Sequence, residues 1–169
     1  MDPGELTRAI VDLARGEGFD MAGVARGRPL PGDARVFESW LARGFHAAMR
    51  WMGRDALVRS DPSRLLPGCL SVIVVAANYG LPEAERADPQ GRAKVALYAR
   101  RRDYHGVFRR KLRRLAAGLE ERSGLPARGF ADTSPVLERA WAREAGIGRL
   151  GKNANLLTRT HGSWLLLGG

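Results

Sequence analysis

Two stretches of this chain set ionisable side chains beside residues that start or break helices. The first is Tyr98-Ala99-Arg100-Arg101-Arg102-Asp103-Tyr104-His105; the second runs from Asp132-Thr133-Ser134-Pro135 through Glu138-Arg139 to Gly151-Lys152-Asn153-Ala154-Asn155. Such placement presents polar chemistry at the edge of a pocket rather than on a solvated face. Asp132 is the candidate acid. It precedes Ser134-Pro135, a serine–proline pair that predicts a helix start. A helix dipole there favours the carboxylate, whereas burial favours the neutral acid, which alone can donate a proton. A plain capping role is the alternative. Arg139, further along the expected helix, can fork onto an anionic group or simply face water. His105 is the histidine set in the dense polar motif. His46 and His161 do not stand at metal-ligand spacing from it, so no zinc or iron site is expected in this chain.

Gly148-x-x-Gly151-Lys152-Asn153 invites comparison with a phosphate-binding loop. That loop needs G-x-x-x-x-G-K-[ST] between a strand and a helix, and here a helix comes first. What remains is a glycine loop whose backbone, with Lys152 and Asn153, can approach a large ligand closely.

The elements that must position these groups can be read from periodicity. Leu6, Ala9, Ile10, Leu13 and Ala14 predict a helix that stops at Gly16 and Gly18. Phe19 to Ala25 predicts a strand. Asp33 is the expected cap of a second helix carrying Phe37, Trp40 and Leu41 and ending at Gly44. Met49, Trp51 and Met52 read as core. Asp61-Pro62 opens a turn that closes at Pro67-Gly68. Leu70 to Tyr79 is β-branched and apolar on both faces, the pattern of a central buried strand. Residues 80–94 read as a mobile loop, and Val95 to Ala99 as a further strand. A helix follows from Asp103 to about Arg122, with Phe108, Leu112, Leu115 and Leu119 in one stripe. The helix of Ser134-Pro135 runs to Ala145 and stops at Gly146. Asn155 to Thr158 and Ser163 to Leu167 read as strands around a turn at residues 160–162. Helices and strands mix without a regular βαβ rhythm, so the expected class is α+β, one domain over residues 1–169 with a central sheet flanked by helices.

The chain has 169 residues, 28 Lys and Arg against 18 Asp and Glu, and a net charge of +10. A field of that sign favours nucleic acid or an anionic cofactor. Arg109, Arg110, Lys111, Arg113 and Arg114 follow His105 directly and are candidate phosphate contacts; a solvated helix face is the competing reading. Cys69 is the single cysteine. One thiol makes no internal disulfide and holds no iron–sulfur cluster, so a buried, inert role is expected. No apolar run reaches the roughly 18 residues of a membrane span, and the N-terminus lacks a signal pattern, which makes the cytoplasm the default.

Taken together and in this order, Met49–Met52, Arg59–Gly68, Asp103-Tyr104-His105, Asp132–Arg139, Gly151–Asn155 and Gly162-Ser163 through Leu167-Gly168 resemble the N-terminal half of epoxyqueuosine reductase. The resemblance spans nearly the whole chain. It implies a nitroreductase-like domain that binds cobalamin with its nucleotide base off the cobalt. It implies reduction of epoxyqueuosine to queuosine in a tRNA anticodon loop, in the cytoplasm, by a monomer fed by an electron donor. Asp132 would be the proton donor. Arg59, Arg139, Lys152, Asn153, Leu156 and Leu167 would line the corrin with Asp132, and His105 would face substrate or cofactor. Arg110, Arg113 and Arg114 would be the tRNA contacts. The sequence departs from the family pattern at Ala47 and Arg101, where glycine is common, at Ala154 in place of Ser or Thr, and at Arg149 in place of an apolar residue. The family continues into a ferredoxin-like part rich in C-x-x-C that carries two [4Fe-4S] clusters; this chain is expected to be a truncated piece without them. A non-catalytic corrinoid-binding module and a flavin reductase of nitroreductase type are the alternatives.

Overall fold

The computed structural model describes residues 2–82, 95–100, 103–132 and 134–169. Most of the expected loop at 80–94, together with Arg101, Arg102 and Thr133, lies outside the described residues. Strand β1 (Met21–Arg26), strand β2 (Ser71–Asn78) and strand β5 (Leu165–Gly168) form an antiparallel sheet in the order β1-β2-β5. The register pairs Met21 with Ala76 through Arg26 with Ser71 on one side of β2, and Val75 with Gly168 through Asn78 with Leu165 on the other.

Side chains alternate across a strand, so β2 feeds two cores. Val72 and Val74 pack with Ala140, Trp141 and Ala142 of the short helix α4 (Glu138–Glu144). Val75 packs in the opposite layer with Ala14 of helix α1 (Pro3–Gly16) and Phe108, Leu112 and Leu115 of helix α3 (Tyr104–Ser123). Val74, Val75 and Ala76 are fully buried, as a strand apolar on both faces requires. The class is thus mixed helix and sheet, with helices on both faces. α1 starts in a capping box: Asp2 accepts from the Gly4 amide, and Glu5 accepts from the Asp2 amide. α3 is capped by Asp103 and ends at Gly124, whose φ of 68° is the left-handed conformation of a helix stop.

Several expectations are corrected. Helix α2 (Pro31–Ala42) is entered from Leu30 with no side-chain cap. Asp33 instead takes a two-pronged ion pair from Arg143 of α4, at 3.2 and 2.9 Å. Met49 and Trp51 are 42% and 55% exposed and are not core. Val95–Ala99 is not a strand; Arg100 Nε reaches back to the Val95 carbonyl at 2.7 Å, and Leu97–Arg100 closes into a 3-10 turn. α4 begins at Glu138 rather than at Ser134. Ser134 accepts from the Val136 amide, and the Leu137 amide is drawn to the Arg59 carbonyl, so the segment buries Val136 as a turn. Strands β3 (Arg149–Leu150) and β4 (Leu156–Leu157) form a separate hairpin, where 148–151 reads as a loop. β4 and β5 are therefore not partners around the 160–162 turn; the link across it is a single bridge between Thr158 and Gly162. Cys69 is half-buried, and its thiol donates to the Ser71 carbonyl at 3.3 Å.

Gly23 of β1 lies tight against the end of α4: a Cβ there would press into the Ala145 carbonyl oxygen. Backbone cannot yield as a flexible side-chain tip does. Gly23→Ala is expected to destabilise the fold by about 1–3 kcal/mol, read as a lower urea midpoint at unchanged slope.

Candidate active site

His105 stands between two carboxylates. Its Nδ1 lies 2.5 Å from Asp103 Oδ1, and its Nε2 lies 2.7 Å from Asp132 Oδ2. The first contact follows from helix capping. Asp103 Oδ1 accepts the backbone amide of His105 at 3.0 Å, which places the same oxygen beside the imidazole one residue inside the helix. The second contact is long-range. Phe130 pairs its backbone with Gly169 at the end of β5, which anchors the loop that carries Asp132. Asp132 itself has a φ of 47°, a left-handed conformation that a non-glycine residue adopts only when its surroundings hold it there. The Tyr104 ring stacks on His105 at 4.2 Å.

The charges follow from these contacts. Hydrogen bonds to Asp132 and then Asp103 raise the His105 pKa above its ordinary 6.5. The same bond, seen from Asp103, holds that carboxyl below its usual range. Burial, with the Asp132 carboxylate next in weight, pushes the Tyr104 phenol up. Because the His105 value is raised on folding, its contribution to stability is complete below 6.5 and disappears as pH climbs through the folded value.

Next to this cluster is a buried polar pair. Arg59 is 8% exposed, and its guanidinium lies over the rings of Phe37 at 5.7 Å and Trp51 at 5.8 Å. Arg59 Nε and Glu138 Oε1 are buried with no hydrogen-bond partner among the described residues. Burial, seconded by repulsion from Asp132, lifts the Glu138 carboxyl from 4.5 to about 7, with Arg139 and Arg59 opposing. A donor and an acceptor left unspent at one place are costly unless a ligand or water meets them.

The other expected site residues are dispersed. Arg139 donates to the Ala154 carbonyl and so fixes the 151–155 turn against the start of α4. Asn153 Oδ1 accepts the Asn155 amide at 3.1 Å and is a turn former, with Lys152 exposed on the same turn. Leu156 is 4% exposed, and Leu167 is a partly buried residue packed against the same core. On α3, Arg110 and Arg113 are exposed, but Arg114 is paired with Glu17 at 2.5 Å and Lys111 bonds to the Gly18 carbonyl. Those two tie α3 to the end of α1. Asp103 and Glu138 were not singled out by their sequence positions as partners of the site. Asp103, at helix N-cap spacing from His105, carried a usable signal; Glu138 did not, since its burial depends on where α4 begins.

A buried carboxyl raised from 4.5 to about 7 weakens the fold once the unfolded chain ionises. The loss grows between those values and levels off above the upper one at about 3 kcal/mol. Glu138→Gln is therefore expected to raise the melting temperature at pH 8 and to leave it nearly unchanged at pH 4.

The family profile described as "Epoxyqueuosine reductase QueG, DUF1730" matches residues 59–133, which hold Arg59, His105 and Asp132. The chain is 43% identical over 161 residues to the epoxyqueuosine reductase of Gloeobacter violaceus, covering 94% of this chain and 49% of that protein. A solved epoxyqueuosine reductase, in a crystal with an epoxyqueuosine-modified tRNA-Tyr stem loop, superimposes with a TM-score of 0.82 at 22% identity over 99% of this chain and 45% of that one. The Bacillus subtilis enzyme, solved with an aspartate-bearing catalytic loop swung out of its active site, superimposes with a TM-score of 0.75 at 22% identity, with the same coverage of 99% and 45%. These two structures share the fold. The chain spans about half the length of the curated relatives it matches, and over nearly all of its own length it is similar to epoxyqueuosine reductases.

Proposed function

We propose that this chain is the corrinoid-binding, acid-bearing part of an epoxyqueuosine reductase, with Asp132 as the proton donor to the oxygen leaving the epoxide. The observation that carries the reading is Asp132, held in a left-handed turn with its carboxylate on His105 at 2.7 Å. The catalytic loop of the Bacillus subtilis relative, with its aspartate, gives the same residue type on a movable segment. The fold is read as the nitroreductase-like cobalamin-binding type.

The residues present fit such a cofactor. Cobalamin is a large ring edged with carboxamides, and a carboxamide is both donor and acceptor. Arg59 Nε and Glu138 Oε1 are a buried donor and acceptor without partners among the described residues, beside exposed Trp51 and Leu57. A bound corrinoid would supply the low-potential electrons that break the carbon–oxygen bond. Arg59 would hold the ring edge, with its guanidinium kept in place by Phe37 and Trp51. Glu138, near neutrality at pH 7, would add a hydrogen bond without adding a full negative charge. Arg139 keeps the Gly151–Asn155 turn in place, where Lys152 remains available. Asp132 protonates the oxygen as it leaves, so that no alkoxide has to form in the site.

Cys69 alone holds no iron–sulfur cluster, so electrons reach the site from [4Fe-4S] centres elsewhere, fed by a cytoplasmic donor. The substrate is the modified anticodon loop of a tRNA, attracted by the net charge of +10 and by exposed Arg110 and Arg113. Arg114, committed to Glu17, is left out of that surface.

Asp132→Asn preserves shape and removes the donor. With a low-potential chemical reductant supplying electrons, deoxygenation of an epoxyqueuosine-bearing stem loop is expected to fall by about 10²–10⁴-fold while corrinoid binding changes little. Near-normal turnover would remove Asp132 from the acid role.

A further inference from the structure

Resting on that reading, we propose that His105 is the positioning residue that recharges Asp132 with protons, with Asp103 fixing its orientation and charge. An aspartate that donates a proton in every cycle must recover one. Asp132 is 55% exposed at its side chain, yet the group in direct hydrogen-bond contact with its Oδ2 is the imidazole Nε2, at 2.7 Å. The second ring nitrogen is held by Asp103 at 2.5 Å. An imidazole between two carboxylates is most stable as the imidazolium, with an N–H directed at each. Asp103 is also the N-cap of α3, so the oxygen that meets Nδ1 is itself held in place by the His105 amide.

The step balances simply. The Nε2–H bond of the imidazolium breaks, and an O–H bond forms on Asp132. His105 is left neutral with Nδ1–H on Asp103, and Asp132 then passes its proton to the leaving oxygen. Solvent returns a proton to Nε2, which the 34% exposure of the His105 side chain permits. The groups facing His105 are few. Asp103 and Arg109 come from α3 and its cap, with Arg109 Nε on the His105 carbonyl at 3.3 Å. Tyr104 lies against the ring, and Tyr98 acts on Tyr104 from the preceding turn. Asp132 comes from its own loop, and its charge acts on Glu138 of α4. The carboxylates in direct contact dominate, and they favour the charged ring.

A merely structural His105 would tolerate a neutral hydrogen-bonding replacement; a relay would not. Two measurements test this. The first is an NMR titration of the His105 ring in this chain, which needs no cofactor. His105 is expected to hold its proton above the ordinary value of 6.5, and Asp132→Asn and Asp103→Asn are each expected to lower that value. The second is the pH profile of deoxygenation with a chemical reductant. The wild-type rate should fall as pH rises through the His105 ionisation. His105→Gln should lose that limb and slow within the about 10²–10⁴-fold that a positioned proton transfer is worth. His105 titrating at its ordinary value, failing to respond to Asp132→Asn, or being replaced by Gln with full rate and an unchanged limb would overturn the relay. Absence of wild-type deoxygenation beside an intact NMR result would sink the epoxide-reductase reading and leave the proton-carrying pair standing.

Discussion

Strand β2 holds this molecule together because it is buried on both faces. Val72 and Val74 seat α4, and Val75 seats α1 and α3. The two helices that matter for chemistry are therefore fixed on opposite sides of one strand. α3 brings Asp103, Tyr104 and His105 from one layer, and the approach to α4 brings Glu138 from the other. The Asp132 loop is clamped where Phe130 pairs with Gly169 just beyond β5. Loss of apolar volume at the β2 positions would loosen both layers together, and the three-residue contact of Asp103, His105 and Asp132 with them.

The site has two electrostatic regimes. At its solvent edge, two carboxylates shift an imidazole toward its charged form. Further in, Glu138 is lifted toward neutrality by burial, with Asp132 adding to the effect. Both shifts run the same way, so His105 and Glu138 each hold a proton more readily than the free side chains do. The ion pair of Arg143 with Asp33 and Glu144 supports this arrangement from behind, since it ties α4 to α2 without entering the site.

Much of this was legible in the sequence. β2 was visible as an apolar run of β-branched residues, and α3 as a stripe of Phe108, Leu112, Leu115 and Leu119 from Asp103 onward. Asp132 and His105 were visible as polar residues at element boundaries. Their mutual contact was not, because it depends on the Phe130–Gly169 pairing, which no local pattern encodes. Ser134-Pro135 carried a sound helix-start signal that lost to tertiary structure: the Leu137 amide bonds to Arg59 instead, and α4 starts later. Val95–Ala99 had strand composition, but Arg100 reaches back to the Val95 carbonyl and Leu97–Arg100 closes into a turn. The resemblance implies Leu156 at the ligand, and no local pattern shows that this residue is buried in the core.

The central claim, that the Arg59–Glu138 pair and its surroundings receive a corrinoid, is tested most directly by titrating this chain with hydroxocobalamin and following the visible spectrum, with FMN as the competing ligand. A saturable shift to the base-off form that is lost in Arg59→Ala, with no tight uptake of FMN, is the expected result. No spectral shift, together with tight binding of FMN, would contradict the corrinoid reading and favour a flavin reductase.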